Sequence, residues 1–197
     1  MIRDDLSNRL IHLTKGSMSN AKTTFFKIIS DNKLIGTSSS SKGTDKVICF
    51  SEAPISKIAQ IIASDNIEKM RYRPFGFMFE KLYLFEKGAR PAIYQTGSEY
   101  KMLKEEQQYR HVKFELNNNI DWTWEREWRY KSGELVLEPE QVTLIIPNRE
   151  IEEELKSEHH GRVARASLVT QFGASIVGQF PWHFIVLEDL GVDIPKN

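Results

Sequence analysis

The chain has 197 residues, 40% of them hydrophobic, enough for one domain with a sizeable core. Its 27 basic and 27 acidic residues cancel, so no whole-molecule field drives adhesion to nucleic acid or to an anionic membrane, and any polyanionic ligand must meet a local basic patch. Cys49 is the only cysteine, which excludes an intrachain disulfide and a cysteine-rich zinc site and points to a reducing compartment. The charged start, Met-Ile-Arg-Asp-Asp, and the lack of a run of about 18 apolar residues predict a cytoplasmic protein with no membrane contact.

A short β-like segment, Leu10-Ile-His-Leu13, comes first and puts His12 and Thr14 on the same side. Ala21 to Lys33 carries Phe25, Phe26, Ile28 and Ile29 at helical spacing, and the helix is expected to end near Leu34-Ile-Gly36. Thr37 to Thr44 is a polar loop, and Val47-Ile-Cys-Phe50 reads as a short buried strand. Pro54 opens a helix from Ile55 to Ala63 with Ile58, Ile61 and Ile62 on one side. After an Arg-rich link, Met70 to Pro74, strands are expected at Phe75–Phe79 and at Ala92–Tyr94, separated by a turn around Lys87-Gly-Ala-Arg-Pro91. Glu99 to Tyr109 is a charged helix or an ordered loop.

Trp122 to Tyr130 has the aromatic content of a strand. Its alternation would place Trp124, Arg126 and Trp128 on one face and Glu125, Glu127 and Arg129 on the other. Further strands are expected at Leu135–Leu137, Val142–Ile146 and His183–Leu187, with a helix capped by Asn148 and running to about Ser157. Helices gather in the first half and strands in the second, so the fold class is α+β rather than a regular βαβ alternation.

Glu125-x-Glu127 is the first chemical candidate, since two carboxylates side by side on a strand are costly and can act as a general base or stabilise developing positive charge. A solvated sheet face with Arg129 neutralising the glutamates would carry the same letters. His12 and Thr14 could grip ribose hydroxyls, or His12 could be a hydrogen-bonded structural residue. Arg71, Tyr72 and Arg73 suit a diphosphate or an aromatic ring, as would any solvated loop. Cys49 lies in an apolar strand where thiols are usually inert, and His159-His160 reads as a solvated turn without matching metal ligands. No Walker-type phosphate loop, dinucleotide-binding glycine motif or Gly-x-Ser-x-Gly is present, which disfavours nucleotide kinases, Rossmann dehydrogenases and α/β-hydrolases.

In chain order His12-x-Thr14, Lys33-Leu-Ile-Gly36, Arg71-Tyr-Arg-Pro-Phe-Gly-Phe-Met-Phe79, Arg90-Pro-Ala-Ile-Tyr94 and Glu125-Arg-Glu127 resemble the layout of the ADP-ribosyltransferase superfamily. The resemblance is to its bacterial toxin and phage-defence branch, DarT-like and AbiGi-like, the latter carried by Val47-Ile-Cys-Phe-Ser-Glu-Ala-Pro54 and Glu125-Arg-Glu-Trp-Arg129. It implies mostly antiparallel sheets with helices packed on them, NAD as substrate and no metal. It also implies that His12 and Thr14 hold the nicotinamide-side ribose and that Arg71 or Arg73 contacts the diphosphate or the acceptor. Glu127 would stabilise the oxocarbenium-like centre and Glu125 would orient the acceptor. Tyr72, Tyr83 and Tyr94 are the candidates for stacking on nicotinamide.

The function expected from this resemblance is transfer of ADP-ribose to a macromolecule, RNA or DNA before protein, by a toxin or antiphage effector working with an antitoxin or second defence component. The alternative is a non-catalytic binding or regulatory module of such a system. A nuclease or other hydrolase built on Glu125, Glu127 and a histidine would need a metal-ligand set that the sequence lacks.

Overall fold

The computed structural model describes residues 6–38, 44–63, 72–169, 180–192 and 194, with side chains in the last helix described to residue 165. Arg71 and part of the polar loop after Thr37 lie outside the described residues. The architecture is mixed α+β. Strand β1, Arg9–Lys15, is followed by α1, Met18–Asp31, and β2, Lys33–Ile35; then come β3, Val47–Ser51, α2, Ile55–Ile62, β4, Tyr72–Glu80, and α3, Lys81–Glu86. The second half holds β5, Arg90–Pro91, β6, Ile93–Gln95, α4, Glu105–Gln108, β7, His111–Lys113, β8, Glu127–Lys131, β9, Glu134–Val136, β10, Val142–Ile146, α5, Arg149–Val169, and β11, His183–Val186.

Seven strands form the main sheet in the order β11-β10-β4-β1-β3-β8-β5, antiparallel throughout except for β10 beside β11. Two small sheets, β2 with β9 and β6 with β7, flank it. One face of the sheet carries Leu10, Phe50, Phe77, Phe79, Leu144 and Trp128 against α1 and α5. The other carries Ile11, Leu13 and Ile145 against Ile58, Ala59 and Ile62 of α2. The alternation of Leu10 and Ile11 along β1 therefore feeds two cores, as period-2 geometry dictates.

Helix α1 starts three residues before its apolar periodicity suggests. The Ser17 side chain accepts from the Asn20 N–H, and Asn32 closes the helix in the left-handed region at φ 55°. Phe25 is fully buried and packs on Phe75 and Phe77 at centroid distances of 5.5 and 5.0 Å, which pins the helix across β4. Lys33 to Ile35, expected as the helix end, pairs with β9 instead.

Gly76 sets the approach of β1 to β4. A Cβ there would meet the His12 carbonyl oxygen at 2.8 Å and Leu13 Cδ2 at 2.7 Å, so only glycine allows this spacing. Between Leu13↔Gly76 and Lys15↔Tyr72 the register slips, and Arg73 and Pro74 occupy the extra length of β4. Proline inside a strand is tolerated at such a bulge because it has no N–H to give the ladder.

Two expectations are corrected. Trp122–Tyr130 is not one strand: Thr123–Glu125 is a 3₁₀ turn, Arg126 is left-handed at φ 45°, and β8 begins at Glu127. The helix capped by Asn148 continues through Gly161 to Val169, so His159 and His160 are helical and not in a turn. A single glycine costs about 1 kcal/mol in a helix, which a 21-residue segment absorbs. No helix among the described residues is long and apolar enough to cross a membrane.

Candidate functional site

The site begins with a parting of strands. β1 pairs with β4 over most of its length but meets β3 at one register pair, Ile11↔Ser51. Beyond it the edge of β3 that faces β1 finds other partners: Val47 exchanges both backbone hydrogen bonds with Thr37, and the Cys49 carbonyl accepts from His12 Nδ1 at 2.8 Å. A side chain thus replaces the missing ladder, which satisfies the backbone and opens a cleft.

That cleft holds a cavity of about 50 Å³, which widens to about 550 Å³ when the space out to its open mouth is counted. His12 and Lys15 from β1, Cys49 and Ser51 from β3, Ile58, Ile61 and Ile62 from α2, Tyr72 from β4, and Trp124, Glu125 and Glu127 all reach it. His12 stands edge-on to Phe50 with ring centroids 6.0 Å apart. Burial pushes its pKa down to about 4, against the pull of its bond to Cys49 and assisted by Lys15. The ring is therefore neutral at physiological pH. A carbonyl can only accept, so the proton sits on Nδ1 and Nε2 is an acceptor.

Both glutamates are buried and each is held differently. Glu125 Oε2 accepts from the Tyr72 hydroxyl at 2.7 Å, and its carbonyl accepts from Ser51 Oγ at 2.6 Å. The Tyr72–Glu125 bond joins the two flanks of the cleft, β4 and the turn before β8, across the two strands between them. Glu127 Oε1 accepts from Arg129 Nε at 2.8 Å. Its backbone N–H donates to Tyr94 Oη at 2.7 Å because β5 leaves the sheet after Pro91, and a phenol completes the ladder. Burial raises the Tyr94 pKa to about 12, so that hydroxyl stays protonated.

The structure brings His12, Tyr72, Glu125 and Glu127 onto one cavity. The others lie apart. Thr14 is buried and donates its hydroxyl to the Phe75 carbonyl at 3.0 Å, inside the β4 bulge. The Arg73 guanidinium donates to the carbonyl of Tyr72, and Tyr94 supports Glu127 from the side of β6. Tyr83, on α3, stacks on Phe79 at the edge of the core.

The expectation that the tryptophans face away from the glutamates is corrected for Trp124, which lines the cavity beside them and is 37% exposed. The 3₁₀ turn breaks the strand alternation that would have sent it to the opposite face. Trp128 alone of this run is core, its Nε1–H donating to Glu52 at 2.7 Å while Lys81 donates to the other oxygen of Glu52. Lys15, whose ammonium lies 5.1 Å from the Tyr72 ring centre, is a cavity cation with no distinguishing mark in the sequence.

Two ionisable carboxylates, an imidazole acceptor and two aromatic walls suit a ligand with hydroxyl groups, a flat ring and a centre that becomes positive. Among the described residues no group of three or more His, Cys, Asp or Glu is placed to hold a metal ion. The class defined by fold and site is a mixed α+β protein with a polar cleft where its main sheet splits. No family model, curated protein or solved structure matches the chain.

Proposed function

We propose that this chain is an NAD-dependent ADP-ribosyltransferase with the fold of that superfamily, acting on a macromolecule, nucleic acid before protein, as a toxin or antiphage effector. One observation carries the reading: His12, Tyr72, Glu125 and Glu127, drawn from separate elements, share the cavity where β1 and β3 part. The resemblance at the level of sequence motifs and this convergence are independent supports. The acceptor class, the toxin role and an antitoxin or second defence component rest on the resemblance.

In this reading His12 Nε2 accepts a ribose hydroxyl hydrogen, and Tyr72 and Trp124 flank the nicotinamide ring. The bond between ribose C1′ and the nicotinamide nitrogen breaks with its electron pair leaving on nicotinamide. The positive charge left on the ribose is stabilised by the Glu127 carboxylate more than the ground state is. A neutral His12 adds no opposing charge. The acceptor's nucleophile then bonds to C1′ and gives its proton to Glu125, which must first release Tyr72.

The test is mass spectrometry of RNA, DNA and protein from cells expressing wild type or Glu127→Gln. ADP-ribose on one of these classes in wild type alone is the expected result. No addition in either strain overturns the transferase reading and leaves a non-catalytic module.

A further inference from the structure

We propose that Arg129 is a positioning residue for this site, holding the Glu127 carboxylate aimed into the cavity while touching no ligand itself. The inference rests on the role given to Glu127 above. In β8 residues 127 and 129 share a face, and both side chains are nearly enclosed, at 11% and 5% exposure. Arg129 Nε donates to Glu127 Oε1 at 2.8 Å and Nη1 donates to the Tyr109 carbonyl at 2.9 Å. Arg129 does not reach the cavity, whereas Glu127 does.

The pair is expensive if packing is all it serves. Two buried charges each carry a desolvation penalty that an apolar side chain of similar volume would avoid. The geometry also exceeds charge neutralisation. A fork donating in two directions ties the carboxylate to the backbone of the segment before β7, and lysine, with one nitrogen, cannot span both contacts in the same way. The backbone of Glu127 is fixed as well, its N–H on Tyr94 Oη and its carbonyl accepting from Ala92 N at 2.7 Å. Glu127 is therefore held at side chain, N–H and carbonyl, and among the described residues Oε2 has no hydrogen-bond donor and can present to a ligand. A carboxylate that must meet a transient positive centre needs this fixity, because misplacement by about 1 Å can cost a factor of about 100 in rate.

The experiment measures nicotinamide release from NAD by wild type, Arg129→Lys and Arg129→Gln, as kcat and KM, with the folded fraction read by circular dichroism. Arg129→Gln is expected to keep the KM for NAD and lose about 100-fold in kcat per folded molecule. Arg129→Lys, which keeps a donor for the Glu127 carboxylate, should lose less. If Arg129→Gln does not fold, Arg129→Lys carries the comparison through its kcat at unchanged KM. A purely structural role predicts a smaller folded fraction with kcat per folded molecule unmoved. An active wild type whose folded variants match it in kcat overturns the role of Arg129 alone. A wild type that releases no nicotinamide overturns the reading of Glu127, and the role of Arg129 with it.

Discussion

Substituting His12 with asparagine should make the protein's stability less sensitive to acid. The His12 ring is walled into the cleft with its pKa lowered to about 4, while in the unfolded chain it titrates near 6.5. Between those values the unfolded state binds a proton that the folded state refuses, so stability is intact above pH 6.5 and falls as pH drops toward 4. Fully expressed the gap is worth about 3 kcal/mol, and the share lost between pH 7 and pH 5 is about 2 kcal/mol, an upper figure because the ring also meets the cavity. Asparagine places an amide N–H near the position of Nδ1, keeps a donor for the Cys49 carbonyl and does not titrate. Urea unfolding followed by circular dichroism at pH 7 and pH 5 gives both proteins the same background from other groups. Wild type should lose about 2 kcal/mol more than the variant. Equal losses would show that His12 titrates freely and would refute the neutral, acceptor-bearing ring.

The tryptophans should separate by role. Trp128→Ala empties a core position and strips Glu52 of a donor, costing about 3–5 kcal/mol by chemical unfolding, whereas Trp124→Ala should cost under about 1 kcal/mol yet weaken NAD binding about tenfold by calorimetry. Gly76→Ala forces β1 away from β4 at the His12 carbonyl, so unfolding should show a loss of about 1–3 kcal/mol and NAD affinity should fall with it. Full stability in that variant would refute the close approach that sets His12.

The apolar periodicities of Phe25 with Ile29 and of Ile58 with Ile62 were enough to place α1 and α2, and the Pro54 opening of α2 was legible from proline geometry alone. The run Val142–Ile146 was equally plain because a central strand buried on both faces is continuously apolar. What failed were local breaks. Arg126 in the left-handed region carries no glycine or asparagine signal, so the strand alternation was started five residues too early and Trp124 was sent to the wrong face. The helix expected to end at about Ser157 runs on through Gly161 to Val169.

At the site, His12, Tyr72, Glu125 and Glu127 were legible as candidates, but their meeting was not, since it depends on β1 and β3 parting after one register pair. Thr14 was expected beside His12, yet its hydroxyl donates to the Phe75 carbonyl where the β1–β4 register slips, and it does not line the cavity. Lys15 gave no signal because a lone lysine at a strand end is ordinarily solvated.

The most direct measurement is the initial rate of nicotinamide release from NAD by purified wild type and Glu127→Gln, at matched concentrations and with folding confirmed by circular dichroism. Wild type is expected to release nicotinamide and Glu127→Gln to fall at least about 100-fold in kcat, with little change in KM, because the carboxylate acts on charge that develops only as the bond breaks. Release at the wild-type rate by Glu127→Gln would contradict the assignment, and the buried Glu127–Arg129 pair would then be an element of the fold alone.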